Sequence, residues 1–380
     1  MTTRYTRRQF LIGTVSAAVT SLLISACQSQ EQQPTPTAAP AATPTQAAAA
    51  SPTQPAAVTA TPAATPTVAP AASPTMAQRP DRTFRFAYLR LGWAGCEAID
   101  DLGLLSARGW KLEWNRIDQI SALANAFAAG QADIIDMSVV IAAQMHEQGV
   151  PLKIFSAAVG TLGSILVRPG LGVSSVPDLR GKRVGGIPGG TTTQDINAMV
   201  RRLYDFDLLT DTEFIQASTP PDAVNLLING NVDALLMWEP TVSRLTNSGQ
   251  AEILVTQQEL WKQVSGSETP QVHVIYMTSP ELADEYPELM QDIIAAQEEV
   301  AELWQAGDDK AVQAFANVTE LPPDVISTAL SRTTPLAGLS KDLQDTILMQ
   351  LKFNRESGVL LQSDLWLNAE EARAALFWEP

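Results

Sequence analysis

The sequence is poor in the residues most used for covalent and metal chemistry. Its 380 residues include two cysteines, Cys27 and Cys96, and two histidines, His146 and His273. With so few and none clustered, no zinc site, other metal site or cofactor is expected. Positive charge is also scarce, at 25 Lys and Arg against 41 Asp and Glu. Three of those arginines (Arg4, Arg7, Arg8) fall before Cys27, where there are no acids, so 22 basic residues would remain after removal of that segment, a net charge of −19. Such a chain is a poor partner for nucleic acid or an anionic membrane surface. A local anion site stays compatible with it.

Long apolar runs are lacking too. The run from Phe10 to about Ile24 is short and rich in small residues, which excludes a good spanning helix and fits an export signal. Arg7-Arg8 ahead of Phe10 and Leu11 looks like a twin-arginine signal; an ordinary secretory n-region is the alternative. Ile24-Ser25-Ala26-Cys27 resembles a bacterial lipobox, with Cys27 as the lipidated first mature residue. Residues 1–27 are thus read as signal and lipobox. Residues 28–80 are nearly all Ala, Pro, Thr and Gln, with Glu31 the only charge before Arg79. Such a segment cannot bury a core and is expected to be a disordered tether, spanning roughly 40 Å as a flexible coil. Only Cys96 then remains as a free thiol, so no internal disulfide is possible.

About 300 residues remain, enough for two lobes. "TFRFAYL" alternates as a strand, and "WKLEWNRI", "ADIIDMS" and "LKIFSAAV" follow as strands between helical segments. This is an α/β pattern with mainly parallel sheets flanked by helices. "NAFAAGQADIIDM" (125–137) and "NLLINGNVDALLM" (225–237) share Asn, Gly, Asp and Met at one offset of 100. The repeat suggests two similar lobes, each with its own sheet. Val167–Asp178 reads as the first crossing between them and Pro270–Thr278 as the return. That assigns 81–172 plus 273–380 to lobe one and 173–272 to lobe two. The tail from Pro280 is helical, and Leu289, Ile293, Ala296, Val300 and Trp304 form a core stripe.

"GIPGGTTTQD" (186–195) lies between the strand "KRVGGI" and a helix carrying Ile196, Met199, Val200 and Leu203. Thr191 followed by Gln194 predicts a capping box. Backbone N–H groups and the positive end of the helix dipole remain for an anion, approached over Gly189 and Gly190, with hydroxyls from Thr191, Thr192 and Thr193. The order differs from a P-loop, which argues against a nucleoside triphosphate. A plain helix cap and an anion cradle both fit this loop on its own.

"AAGQADI…AAQMHEQGVPLKIFSA", "DLRGKRVGGIPGGTTTQ", "PPDAVNLLINGNVDALLMWEP" and "ELADEYPELMQDIIAAQEE" occur in this order. Together they resemble the substrate-binding proteins of ABC importers of the nitrate, sulfonate, taurine and pyrimidine-precursor type, over about residues 83–310. The resemblance implies a two-lobed periplasmic binding protein-like fold (type II) with the ligand cleft between lobes. It implies a monomeric solute-binding protein serving an ABC permease, and the lipobox and tether fit that role independently, as an exported lipoprotein held by Cys27 on the outer face of the cytoplasmic membrane. It favours the anion cradle for the GGTTT loop, and it matches Ser138 to a position of ligand contact.

Four loops should converge on the cleft. Trp93 could cover the ligand or pack in core; Arg90 could counter its charge or face solvent. Ser138 supplies a hydroxyl, and Gly189 to Thr193 form the cradle. Trp238 could wall the pocket, and Glu239 could pair with a ligand amine or sit at the lobe interface. His273 is expected in hinge packing. An anion cradle opposite a carboxylate points to a zwitterion such as taurine, or else to a simple sulfonate. Trp93 and Trp238 leave room for a flat heterocycle, a pyrimidine precursor or riboflavin. Non-catalytic capture is the leading reading. Desulfinases that resemble this family carry a cysteine in the first loop, where Cys96 lies, but no histidine is near it in sequence to activate it.

Overall fold

The apolar alternation of Thr83–Leu89 places Phe84, Phe86 and Tyr88 on one face, all fully buried, and Ala87 on the other. Burial on both faces is the pattern of a strand covered by helices on each side. The computed structural model describes residues 79–358 and 360–379. The signal, Cys27 and nearly all of the tether lie outside these residues. Ten strands are formed among them: β1 (Thr83–Leu89), β2 (Lys111–Ile117), β3 (Ile134–Ser138), β4 (Lys153–Gly160), β5 (Gly163–Val167), β6 (Arg183–Gly186), β7 (Glu213–Gln216), β8 (Ala234–Trp238), β9 (Glu252–Thr256) and β10 (Val272–Thr278). They make two five-stranded sheets, ordered β2-β1-β3-β10-β4 and β7-β6-β8-β5-β9.

The sheets share one plan. β1 pairs in parallel with β2 and β3, and β10 runs antiparallel between β3 and β4. In the second sheet β6 pairs in parallel with β7 and β8, and β5 runs antiparallel beside β8 and β9. Four strands of each sheet therefore point one way. The antiparallel strand in each is the one that follows a crossing.

The first crossing is earlier than expected. The chain leaves the first sheet at Gly160 and enters the second at Gly163, so Thr161-Leu162 is the link. Val167–Asp178, and with it the boundary at 172, lies wholly on the second sheet's side. Its Gly/Pro-rich turn leads from β5 into the 3₁₀ turn Val176–Leu179, whose Ser175 and Asp178 form a capping box. The true link is two residues with no turn signal, which is why turn chemistry pointed past it. The return runs between the helix Gln257–Ser265 and Val272, and includes Pro270.

The offset-100 repeat is a repeat of structure. Helices Ile120–Ala128 and Pro220–Ile228 are each followed by a glycine at positive φ, Gly130 (67°) and Gly230 (71°). β3 and β8 then occupy equivalent places. Asp133 accepts the Arg85 N–H and two guanidinium bonds; Asp233 does the same for Arg183. The Arg183 guanidinium holds the Asp233 carboxyl well below the usual carboxylate range. Each clamp staples the start of β3 or β8 to its parallel neighbour.

The helices after Pro280 cover the first sheet. In Pro287–Ala306 the predicted stripe of Leu289, Ile293, Ala296, Val300 and Trp304 is buried. Two later helices reach the second half: Arg332 lies 3.7 Å from Glu239, and Asn354 donates to Asp195 at 3.0 Å.

Candidate functional site

β1, β3, β6 and β8 all end at the gap between the sheets, so their following loops face each other there. The starts of the antiparallel β5 and β10 reach the same level: Gly163 registers with Trp238, and Val274 with Ser138. This is the carboxyl-end crevice where open α/β sheets bind ligands. A cavity of about 50 Å³ lies there, walled from both sides by Leu89, Asp136, Ser138, Thr191, Trp238 and His273, among others. One water needs about 10–15 Å³ on this scale, so the space suits a compact group of few atoms.

The GGTTT loop forms the cavity's second-sheet wall. The helix Thr191–Tyr204 starts there with Gly190 at its N-cap and no side-chain cap. The expected Thr191–Gln194 capping box is not formed. Gln194 instead donates to the Pro188 carbonyl at 2.7 Å. The Thr191 hydroxyl reaches across the cleft to Ser138 Oγ at 2.5 Å. Thr192 Oγ1 lies 3.3 Å from His273 Nε2, a second bond from one sheet to the other. The first N–H groups of the helix therefore keep their dipole and lack an intrahelical partner, as an anion cradle requires.

Two glycines permit this closeness. A Cβ on Gly163 would lie 2.6 Å from Thr192 Cγ2 and 2.4 Å from Gln257 Oε1. A Cβ on Gly92 would lie 2.9 Å from Asp136 Oδ2.

The electrostatics are unusual for an anion site, because no Lys or Arg lines the cavity. Asp136 is its one carboxyl, 2% exposed, with Oδ1 accepting the Leu89 N–H at 3.0 Å. Burial, then the charge of Glu97, pushes Asp136 well above the usual carboxylate range. Burial pushes His273 down to about 4, so its ring is neutral near pH 7. Its Nδ1 is buried without a partner among the described residues. No group of three or more His, Cys, Asp or Glu among the described residues could hold a metal ion.

The family model described as NMT1/THI5 like matches residues 101–311, more than half the chain. The chain belongs to that family. A taurine-binding periplasmic protein of Escherichia coli (strain K12) is 22% identical over 215 residues, 56% of this chain and 63% of the relative. The match thus spans less than two thirds of that protein's length. The periplasmic aliphatic sulphonate binding protein of Escherichia coli has a TM-score of 0.64 at 19% identity, covering 78% of this chain and 92% of that one. The alkanesulfonate-binding protein of Xanthomonas axonopodis pv. citri, bound to MOPS, has a TM-score of 0.65 at 20% identity, covering 77% and 99%. These likenesses show that the fold is the two-lobed α/β fold of periplasmic binding proteins.

In this NMT1/THI5-like chain, Ser138, Gly190, Thr191, Thr192 and Trp238 meet at the cavity. Gly189 lies beside it, in a groove with Pro188 and Trp238. Thr193 is buried behind the wall, its hydroxyl unpartnered among the described residues. Three other candidates point elsewhere. Arg90 is half-exposed and pairs with Asp118 at 2.8 Å. Trp93 has a left-handed backbone (φ 64°), which turns its ring into the core against Trp304 and Phe315. There its Nε1 donates to Thr333 Oγ1 at 3.0 Å. Glu239 is turned back onto its own helix start, accepting the Ser243 N–H at 2.9 Å, with Arg332 across the lobe interface. It lines a separate recess with Thr161 and Thr334.

Cys96 is fully buried and its thiol is pushed well up by burial. Its polar neighbours are Glu97 Oε2 at 3.7 Å, which is already committed to backbone N–H groups, and the buried Tyr276 hydroxyl. That arrangement does not activate a nucleophile.

Trp238 closes the cleft as well as walling it, since its Nε1 donates to the Leu91 carbonyl in the facing loop at 2.9 Å. Trp238→Phe keeps the wall and removes that bond. Calorimetry should show affinity weakened by about fivefold to tenfold, one ordinary hydrogen bond's worth. Unchanged affinity would mean that the bond adds nothing to the closed, ligand-bound state.

Proposed function

We propose that this chain is an extracytoplasmic solute-binding lipoprotein. It captures a small anionic or zwitterionic organic solute of sulfonate or taurine type and delivers it to an ABC importer. The observation that carries this reading is the cavity between the sheets, bridged by Ser138–Thr191 and Thr192–His273 and faced by an uncapped helix N-terminus. Closure of two lobes on a ligand, with the closed form docking on a permease, needs only such a cleft and a short link like Thr161-Leu162. The taurine- and sulfonate-binding relatives support it, as does the signal-like start with Cys27 ahead of a long tether. The role is binding, not turnover, in line with the burial of Cys96. A flavin or pyrimidine reading loses its second aromatic wall, because Trp93 is in the core.

Calorimetry of residues 78–380 with taurine, ethanesulfonate, nitrate, a pyrimidine and riboflavin tests the reading. Tight binding of a small sulfonate is expected; binding of riboflavin alone would overturn it. Thr192→Ala should weaken sulfonate binding about tenfold, one charge-assisted hydrogen bond. Unchanged affinity with a lower melting temperature would make Thr192 only a structural bridge to His273.

A further inference from the structure

We infer that Asp136 is the specificity-determining residue of the cleft, and that the solute is an ammonium-bearing zwitterion and not a plain anion. This rests on the proposed binding role of the same cavity. The argument begins from what the cavity wall contains: one carboxyl and no cationic side chain. Asp136 Oδ1 is satisfied by the Leu89 N–H. Oδ2 receives no hydrogen bond among the described residues and lies beside Gly92, itself part of the wall. A carboxyl buried this deeply with a free oxygen is costly to ionise alone, and the negative Glu97 behind it adds to that cost.

A nitrate or simple sulfonate would face Asp136 as a neutral carboxylic acid, with no positive charge in the wall to answer its own. An ammonium group reverses the balance. It donates to Oδ2 and stabilises the ionised Asp136. The ligand's anionic end then takes the opposite wall, where Thr191 and Thr192 begin the helix and its dipole favours negative charge. With His273 Nε2 donating to Thr192, the unpartnered Nδ1 is left as a second acceptor. Negative and positive poles thus sit on opposite sheets, and closing the cleft reads both ends of the ligand at once. The carboxylate that sequence spacing assigned to Glu239 is supplied instead by Asp136, at the end of β3.

The test compares probes that differ at one end only. Full-length protein in detergent is titrated with taurine, isethionate and ethanesulfonate, and with β-alanine and propionate. The expected result is that the amine-bearing member of a series binds about 100-fold or more tightly than its partners, because an analogue without the amine leaves Asp136 unpaired. Asp136→Asn should shrink that ratio to below about tenfold, with its fold checked by circular dichroism. The wild-type ratio stands even if the variant does not fold. Equal binding of all sulfonates, or tight binding of plain anions only, overturns the inference and leaves the proposed function intact. No binding of any probe overturns both.

Discussion

Glu97→Ala is expected to destabilise the protein by about 3–5 kcal/mol, the cost of orphaning several buried donors at once. Glu97 is fully buried, in the first turn of the short helix Cys96–Asp101. Its two oxygens accept the backbone N–H groups of Trp93 (2.9 Å), Ala94 (3.2 Å) and Gly95 (2.9 Å). Those residues form a tight loop with positive φ at Trp93 and Gly95, a conformation that cannot pair its own N–H groups. The carboxylate therefore substitutes for secondary structure. Relief of its repulsion with Asp136 offsets a small part of the loss. The same loop carries Leu91 and Gly92 to the cleft, so a surviving variant should also bind weakly. Urea unfolding is the measurement, and a change below about 1 kcal/mol would show that the loop finds other partners.

The second large effect is a pH dependence at Asp195. This residue is buried between the helix Thr191–Tyr204 and the helix Lys341–Ser357, where Asn354 and Gln350 donate to it. Burial outweighs those donors and pushes its pKa from 3.8 to about 7. At acid pH the carboxyl is protonated in folded and unfolded chains alike. Between 3.8 and about 7 the folded protein holds the proton and the unfolded chain has released it. Stability attributable to Asp195 therefore falls as pH rises through that window and levels off above it. At 1.36 kcal/mol per pKa unit the loss is on the order of 4 kcal/mol. Gln350 Oε1 and Asn354 Oδ1, both buried without partners among the described residues, would accept a hydrogen bond from the protonated carboxyl once their amides rotate. Asp136, Glu97 and Glu239 are shifted the same way as Asp195, and His273 the opposite way. The informative quantity is thus the difference between wild type and Asp195→Asn. The variant should be more stable than wild type at pH 8 and lose that advantage at pH 4. Parallel stability curves for the two would remove Asp195 from the account.

Local chemistry explains what could be read in advance. The strand of Thr83–Leu89, the glycine stops at Gly130 and Gly230 and the buried stripe on Pro287–Ala306 follow from periodicity and backbone freedom, which neighbours in sequence determine. The GGTTT loop was legible for the same reason as a strand-to-helix loop, though not in its capping, since Gln194 turns to the Pro188 carbonyl. Asp136 was not, because it sits inside the buried run "IIDM" and reads as strand interior. An acid in such a run was the available signal, since burying one demands a partner. For Trp93 and Glu239 the core and lobe-interface alternatives hold, because of their directions. One is turned inward by a left-handed residue and the other by a bond to its own helix start, and neither is visible in residue spacing. His273 reached the cavity only because the crossing strand β10 starts at the level where β3 ends.

The two hydroxyl bridges and the Trp238–Leu91 bond span the cleft using the protein's own groups alone. Any motion that separates the two sheets has to break all three together. In the proposed function, three bonds from separate loops would make closure of the lobes all-or-none.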